Sequence, residues 1–213
     1  MKARIKEVST LLFDWDGTLI DSAQLGLQAF QKSFALLGIE FNQEVYEATY
    51  SPNWYSMYEA MGVPREKWER ADKLWIEQYG EQTSRLVTGA RETLSELQRK
   101  GYRLGLVTSG NDCRVSRELT QTELGPLFQA VVCNEQMVKK KPDPEGLDTA
   151  LRLLDEVRER ACYVGDSPED IAMGKNACVL TVGVRSTYPT SWRLQGANPD
   201  LYLESISELT AHF

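Results

Sequence analysis

The stretch LLFDWDGTLIDS, residues 11–22, places two carboxylates directly after a short apolar run. Leu11–Phe13 has the composition of a buried strand, and Asp14 and Asp16 follow it two residues apart. Two carboxylates this close repel each other unless a cation lies between them or one of them is protonated. The rest of the sequence must therefore supply whatever neutralises these charges at the end of a strand.

The composition is that of a folded, acidic protein. The chain has 213 residues, 42% of them hydrophobic, and a formal net charge of −7. This length allows a sizeable core and a second small domain. The acidic balance argues against binding to nucleic acid or to an anionic membrane, because both require clustered Lys and Arg, and Lys139–Lys141 is a short basic run. The sequence shows neither a membrane-spanning apolar stretch nor a signal peptide.

The four cysteines lack the spacing of a zinc site. Cys133, Cys162 and Cys178 lie in apolar, strand-like runs, so we interpret them as buried thiols in a reducing compartment. The expected location is therefore cytoplasmic.

Short apolar runs alternate with helical patterns along most of the chain. Strands are predicted at Val8–Phe13, Tyr102–Thr108, Ala130–Cys133, Ala161–Val164 and Val179–Val184, with a last short strand and helix over 202–213. Apolar residues at helical spacing predict helices over 90–100 and 144–157. This alternation predicts an α/β fold, a Rossmann-like parallel sheet with helices on both faces. Ligands bind such sheets at the carboxyl ends of the strands.

The interval from about 22 to 85 interrupts this alternation. It contains four helical stretches and many aromatic residues, and it has no convincing strand pattern. We predict an inserted α-helical cap domain over residues 21–85 and an α/β core domain formed by 1–20 and 86–213. The aromatic residues are interpreted mainly as the core of the cap, with Arg65 and Tyr50–Trp54 as candidate contacts to a ligand.

Polar side chains follow the predicted strands in chain order. They are Asp14 and Asp16, then Thr108 and Ser109, then Lys141, and finally Asp166 and Asp170 within GDSPED. Carboxylates, hydroxyls and an ammonium on one sheet edge suit phosphoryl transfer. Mg²⁺ prefers oxygen ligands, the phosphoryl group needs donors and cations around it, and a carboxylate can act as the nucleophile.

Each of these signals also has a simpler structural interpretation. The aspartates and hydroxyls could form turns and helix caps, and the lysine run could be solvated. Ser167, Pro168 and Asp170 have the pattern of a capping box at a helix start, which leaves Asp166 unexplained. The shared placement at strand ends favours the functional interpretation.

Together the four motifs resemble those of the haloacid dehalogenase superfamily, in its phosphatase branch with a small helical cap. The closest resemblance is to phosphoglycolate phosphatase-like proteins. DWDGTLIDS, LVTSGN, KKKPDP and GDSPEDIAMGKNA resemble the first to fourth motifs in order. The resemblance covers nearly the whole chain, and its motifs are specific for the superfamily but not for a substrate.

The resemblance implies a role for each carboxylate of the first and fourth motifs. Asp14 would be the nucleophile and a Mg²⁺ ligand. Asp16 would be the general acid and base, and its backbone carbonyl would bind the metal. Asp166 would be a further Mg²⁺ ligand. Asp170 would support these ligands without binding the metal directly. Asp16 argues against dehalogenases and phosphonoacetaldehyde hydrolases, which have no carboxylate at that position.

The second and third motifs supply the groups that bind the phosphoryl oxygens. Thr108 and the backbone amides near Ser109 would hold these oxygens. Lys141, directly before Pro142, would neutralise the developing charge and hold the nucleophile. Its two lysine neighbours are predicted to point into solvent.

The resemblance thus implies a Mg²⁺-dependent phosphatase that hydrolyses a small, phosphoglycolate-like phosphomonoester through an aspartyl phosphate. A phosphosugar mutase of the same superfamily is an open alternative. A receiver-type phospho-acceptor domain is a weaker one, because such domains are shorter and have no cap. The expected partner is a small phosphorylated metabolite, and the sequence identifies neither the substrate nor the oligomeric state.

Overall fold

The computed structural model describes residues 5–80, 82 and 84–213, and its centre is a parallel sheet. The strands in chain order are β1 (Thr10–Phe13), β2 (Ile20–Asp21), β3 (Arg85–Leu86), β4 (Arg103–Val107), β5 (Ala130–Val132), β6 (Ala161–Gly165), β7 (Leu180–Val184) and β8 (Leu201–Leu203). Six of them form one sheet in the order β5-β4-β1-β6-β7-β8, with every pair parallel. The predicted α/β fold class is confirmed.

Helices cover both faces of this sheet. The α-helices are α1 (Ala23–Leu37), α2 (Gln43–Thr49), α3 (Trp54–Ala60), α4 (Trp68–Tyr79), α5 (Ala90–Arg99), α6 (Asp112–Gln121), α7 (Glu145–Leu153) and α8 (Pro168–Asn176). Short 3₁₀ helices occur at Arg65–Lys67, Gly125–Leu127, Asn134–Gln136, Arg158–Arg160, Ser191–Arg193, Gln195–Ala197 and Ile206–Ala211. Within the described ranges, none of the helices has the length and apolar character needed to cross a membrane.

The apolar run before Asp14 forms the central strand β1, which lies between β4 and β6. Leu11 and Phe13 face one hydrophobic cluster together with Leu94 of α5, while Leu12 faces a second cluster that includes Leu147 of α7. A strand that is buried on both faces must be apolar at every position, which is why this run shows no alternation. Burial of each such side chain contributes about 1.5–3 kcal/mol to stability.

The register of the strands brings three strand ends together. Phe13, the last residue of β1, is paired with Leu106 of β4 and with Val164 of β6. Because all three strands run in the same direction, the residues that follow them meet at one edge of the sheet. The first, second and fourth motifs are therefore adjacent in space.

Helices α1 to α4 have a hydrophobic cluster of their own. Its centre is Phe30 of α1, whose ring lies 5.7 Å from those of Phe34 and Trp75 and 5.4 Å from that of Trp54. The chain enters this helical unit through β2 and leaves it through β3, and the two strands pair antiparallel. The predicted boundaries at 21 and 85 fall at this pair, and the division into a core and a cap domain stays a prediction.

One prediction about the cysteines is wrong. Cys133 and Cys162 are buried as predicted, but Cys178 is exposed. It lies in the turn between α8 and β7 with a φ of 61°, two residues before β7 begins, so the apolar run that follows it does not bury its side chain. Cys113, at the start of α6, is also exposed.

Candidate active site

Three site residues directly follow the strands that meet at the sheet edge. Asp14 follows β1, and its backbone N–H donates to the carbonyl of Val164 at 2.9 Å. Thr108 follows β4, and its backbone N–H donates to the carbonyl of Val132 at 3.0 Å. Asp166 follows β6. These hydrogen bonds extend the sheet by one residue and fix the positions from which the side chains project.

Lys141 reaches this edge from the loop before α7 and is completely buried. Its Nζ lies 2.6 Å from Oδ1 of Asp14 and 2.7 Å from Oδ1 of Asp170. Burial acts to lower the pKa of Lys141, but the two carboxylates raise it well above its usual value. The structure therefore holds a fixed ammonium against Asp14.

The two neighbouring lysines differ from Lys141, and the prediction for one of them is wrong. The side chain of Lys139 is 70% exposed, as predicted. Lys140 was predicted to be solvated, but its Nζ donates to the backbone carbonyls of Asn134 and Met137 at 2.8 and 2.7 Å. Lys140 thus closes the loop that carries Lys141.

Asp14, Asp166 and Asp170 form a buried cluster whose carboxylate oxygens lie within 4.8 Å of one another. Burial, opposed by Lys141 and reinforced by Asp170, raises the pKa of Asp14 to about 7. Burial and the same neighbouring carboxylates raise the pKa of Asp166 well above its usual value. Such shifts indicate that the cluster has too little positive charge, and a divalent cation with oxygen ligands would supply it.

Asp170 already has its hydrogen bonds within the protein. It accepts from Lys141, from the Tyr163 hydroxyl at 3.1 Å, and from the backbone and hydroxyl of Ser167. Asp14 and Asp166 are therefore the two carboxylates of the cluster that are available to a cation, and they fit Mg²⁺. Asp166 is itself oriented by the Ser186 hydroxyl, which donates to its Oδ2 at 2.6 Å.

The capping box predicted for GDSPED is also present. Ser167 is the N-cap of α8 and accepts from the backbone N–H of Asp170, while Asp170 accepts from the backbone N–H of Ser167. The motif therefore has two functions, because the cap that starts the helix also fixes the carboxylate that holds Lys141.

Gly17 of the first motif is required by the close approach of Asp166. Its φ is +86°, and a Cβ at this position would lie 2.2 Å from Oδ2 of Asp166. Only glycine combines this backbone conformation with the absence of a side chain. The glycine thus lets the loop that carries Asp16 pass over the fourth motif.

The two hydroxyls of the second motif have different surroundings. Thr108 is buried, and its Oγ1 accepts from the backbone N–H of Gly110 at 2.9 Å. The Ser109 hydroxyl is buried, lines the cavity above Asp14, and has no hydrogen-bond partner among the described residues. Since buried polar groups are nearly always paired, Ser109 is available to a bound ligand.

Asp16 is held by an arginine that the sequence analysis did not identify. Both guanidinium Nη atoms of Arg114 donate to its carboxylate, and the Ser22 hydroxyl donates to its Oδ1 at 2.5 Å. Burial acts to raise the pKa of Asp16, but Arg114 and Ser22 together lower it below its usual value. In this arrangement Asp16 is an ionised carboxylate.

Arg114 belongs to a buried network that links both parts of the molecule. It also donates to Glu118, one helical turn further along α6, at 3.1 Å. Glu118 in turn accepts from the indole N–H of Trp15 at 2.8 Å and from the hydroxyl of Tyr79 at 2.9 Å. Tyr79 ends α4, so this network joins the helical unit to the first motif. The sequence shows an Arg–Glu pair at i,i+4 spacing just after the second motif, but this pattern is also common on solvated helix surfaces.

The cavity above Asp14 has a free volume of about 50 Å³. The sheet edge contributes its carboxylates and hydroxyls, and the helical unit contributes a wall of aromatic rings: Phe30, Tyr46, Tyr50, Trp54, Trp75 and Tyr79. Tyr50 stacks on Tyr188 of the core at 5.0 Å, and the Ser51 hydroxyl donates to Glu169 at 3.2 Å. These contacts hold the helical unit over the strand ends.

Some of the ligand contacts predicted on the helical unit lie at the cavity, and one does not. Tyr50, Pro52 and Trp54 line it. Arg65 is exposed instead, with its guanidinium 5.2 Å from the centre of the Trp68 ring. The charge of Arg65 does not reach the site.

Comparison with known proteins identifies the class. The family model for haloacid dehalogenase-like hydrolases matches residues 11–184, so the chain belongs to this family. The predicted enzyme class, a phosphoric monoester hydrolase of the haloacid dehalogenase type, is confirmed at this level.

One relative is similar in sequence, and two solved structures are similar in fold. The chain is 32% identical over 217 residues to the pyrophosphatase PpaX of Listeria monocytogenes, with 96% of each chain covered. It is similar in fold to CbbY from Rhodobacter sphaeroides in complex with phosphate, with 23% identity, a TM-score of 0.80, and 95% and 96% of the two chains covered. A predicted phosphoglycolate phosphatase from Haemophilus somnus has 20% identity and a TM-score of 0.83, with 96% and 97% covered.

Proposed function

We propose that the protein is a Mg²⁺-dependent phosphatase that hydrolyses a small phosphomonoester through an aspartyl phosphate on Asp14. The observation that supports this most directly is the position of Lys141, whose ammonium contacts Asp14 at 2.6 Å at the floor of the cavity. Thr108 and Ser109 line the same cavity and would hold the phosphoryl oxygens.

In the first step Asp14 attacks phosphorus, and the bond between phosphorus and the alcohol oxygen breaks. Lys141 and the donors of the second motif stabilise the charge on the phosphoryl oxygens. The leaving alkoxide takes a proton from Asp16, which must be protonated for this step even though the contact with Arg114 favours its ionised form. In the second step ionised Asp16 accepts a proton from water, which attacks phosphorus and frees Asp14 and inorganic phosphate.

Asp14, Asp166 and the backbone carbonyl of Asp16 are the groups that would hold Mg²⁺. When bound, the cation would reduce the repulsion between the nucleophilic carboxylate and the anionic phosphoryl group. The raised pKa values of Asp14 and Asp166 support this requirement for positive charge.

The substrate would be a compact, phosphorylated metabolite. A cavity of about 50 Å³ is far below the roughly 300–1,000 Å³ of sites for drug-sized ligands. The sequence resemblance offers phosphoglycolate as a candidate, and the name of the PpaX relatives offers pyrophosphate. We propose that the reaction takes place in the cytoplasm, where thiols such as Cys133 stay reduced.

The experiment combines turnover with trapping of the intermediate. The wild-type protein should release inorganic phosphate from p-nitrophenyl phosphate with Mg²⁺ and lose this activity in excess EDTA. Acid quenching during turnover of a ³²P-labelled substrate should leave label on the protein. Asp14→Asn should abolish both signals, while Asp148→Asn, on α7 and outside the cavity lining, should keep them.

A folded Asp14→Asn protein with near wild-type turnover would contradict the covalent mechanism. The mutase alternative predicts a different product, because the phosphoryl group would return to a sugar instead of appearing as inorganic phosphate. Membership in the hydrolase family already disfavours the receiver alternative, which would be phosphorylated once without turnover.

A further inference from the structure

Both cations among the described cavity residues are paired with carboxylates of the protein itself, although the buried Nε–H of Arg114 has no hydrogen-bond partner. Among the described residues that line the cavity, Lys141 and Arg114 carry positive charge. Lys141 contacts Asp14 and Asp170, and Arg114 contacts Asp16 and Glu118. Each cation thus faces two carboxylates, so the wall offers no uncompensated cation for an anionic group beyond the phosphoryl group.

Besides Ser109, which would face the phosphoryl group, two neutral hydroxyl groups among the described residues of the cavity wall have no partner. The hydroxyls of Tyr46, on α2, and of Thr190, in the loop after β7, are buried and lack hydrogen bonds within the described part of the chain. Both residues line the cavity above Asp14. Because buried hydroxyls are nearly always hydrogen-bonded in folded proteins, these two are suited to pair with hydroxyl groups of a ligand.

The part of the wall that the helical unit contributes is largely aromatic. Phe30, Trp54 and Trp75 present aromatic carbon to the cavity, packed against one another at ring distances of 4.5–5.7 Å. Such a wall excludes water and buries short carbon chains, but it does not solvate charge.

From these features we infer that the leaving group of the substrate is a small, uncharged alcohol that carries at least one further hydroxyl group. This inference rests on the proposed phosphatase function and narrows it. It disfavours phosphoglycolate and pyrophosphate, because each brings a second anionic group into a wall whose cations are already paired. A second anion beside the carboxylates of the cavity is repelled. A hydroxyl group can instead form hydrogen bonds with the Tyr46 and Thr190 hydroxyls.

Three phosphomonoesters of equal chain length test the inference in the wild-type protein. Ethyl phosphate has no second polar group, 2-hydroxyethyl phosphate adds a hydroxyl, and phosphoglycolate adds a carboxylate. We expect kcat/KM for 2-hydroxyethyl phosphate to exceed that for each of the other two by about 10-fold or more, since a site built to bind a hydroxyl discriminates against analogues without it.

A matched pair of variants tests the role of Tyr46. Tyr46→Phe removes one unpartnered hydroxyl and keeps the ring, so the preference for 2-hydroxyethyl over ethyl phosphate should fall several-fold. Tyr58→Phe is the control, because its hydroxyl donates to Asp72 at 2.9 Å and the residue does not line the cavity. Tyr58→Phe should leave the preference unchanged.

Hydrolysis of phosphoglycolate or ethyl phosphate as efficient as that of 2-hydroxyethyl phosphate would overturn the inference. So would turnover of p-nitrophenyl phosphate with none of the three alkyl esters, or a preference that Tyr46→Phe leaves intact. Failure of the proposed function has a distinct result, in which neither p-nitrophenyl phosphate nor any of the three esters releases phosphate.

Discussion

The Lys141 ammonium lies between two carboxylates. Its contribution to turnover can be measured by comparing an alanine variant at this position with an alanine variant of a nearby lysine. We expect Lys141→Ala to lower kcat/KM by roughly 10²-fold or more, the effect of losing one preorganised stabilising group. Lys139→Ala should change it little, because that side chain is 70% exposed. Steady-state kinetics at saturating Mg²⁺, with melting curves to verify folding, decide the comparison. A larger loss for Lys139→Ala would contradict the assignment.

We expect Asp14 to make the response of the protein to Mg²⁺ depend on pH. Its folded pKa of about 7 lies above the ordinary value of 3.8, so between these values the folded state binds a proton that the unfolded chain has lost. The contribution of Asp14 to stability without metal therefore falls as pH rises through this window. Because the proposed Mg²⁺ site uses the ionised carboxylate of Asp14, we expect the stabilisation by Mg²⁺ to grow from about pH 5 to about pH 8.

Thermal melts with and without Mg²⁺ across this pH range measure the effect directly. In Asp14→Asn the increase of Tm with Mg²⁺ should be smaller and should lose most of its pH dependence. An equal increase at both ends of the range in the wild type would show that Asp14 does not exchange its proton for the metal.

At the scale of elements, α6 supports the site through two residues one turn apart. Arg114→Gln would leave the partly buried Asp16 and the buried Glu118 without their cation, and loss of the partner of a buried carboxylate typically costs about 3–5 kcal/mol. Glu118→Gln should cost less, because burial already raises the pKa of Glu118, and the amide oxygen can still accept from Trp15 while the amide N–H donates to the Tyr79 hydroxyl. Urea denaturation of both variants gives the two free energies of unfolding. A larger loss for Glu118→Gln would contradict this reasoning.

The sequence predicts some of these elements better than others for physical reasons. Strands β1 and β6 are apolar at nearly every position because they are buried on both faces, and their ends locate Asp14 and Asp166. The capping box of α8 is equally predictable because its hydrogen bonds join residues three apart. In both cases the information is local.

Arg114 could not be assigned from the sequence in the same way. An Arg–Glu pair at i,i+4 spacing on a polar helix is typical of a solvated surface. Its burial arises from the ring of Tyr79, 5.2 Å from the guanidinium and contributed by a distant part of the chain. Lys140 was misassigned for a related reason, because the carbonyls that it binds become its neighbours only when the loop folds.

At the scale of the whole molecule, the helical unit is expected to select substrates rather than to perform the chemistry. Ile20 and Asp21 of β2 pair with Leu86 and Arg85 of β3, so a short Gly-Ser linker can replace residues 22–84. The core should still fold, since its two hydrophobic clusters contain no residue of the helical unit. Hydrolysis of p-nitrophenyl phosphate should persist, while the discrimination between 2-hydroxyethyl and ethyl phosphate should fall to about one. A shortened protein that keeps full discrimination would contradict this role.

The reacting groups come from positions 14 to 170, and they meet only where β1 lies between β4 and β6. Pairings between strands so far apart in the chain form late, because their loop-closure entropy must be overcome first. A chain with intact helices but an unassembled sheet would not have Asp14 beside Lys141. Under the proposed mechanism, turnover would therefore measure completed folding of the sheet. During refolding, recovery of catalysis should follow the recovery of helical circular dichroism, and specific activity reports the fraction of molecules whose sheet is fully assembled.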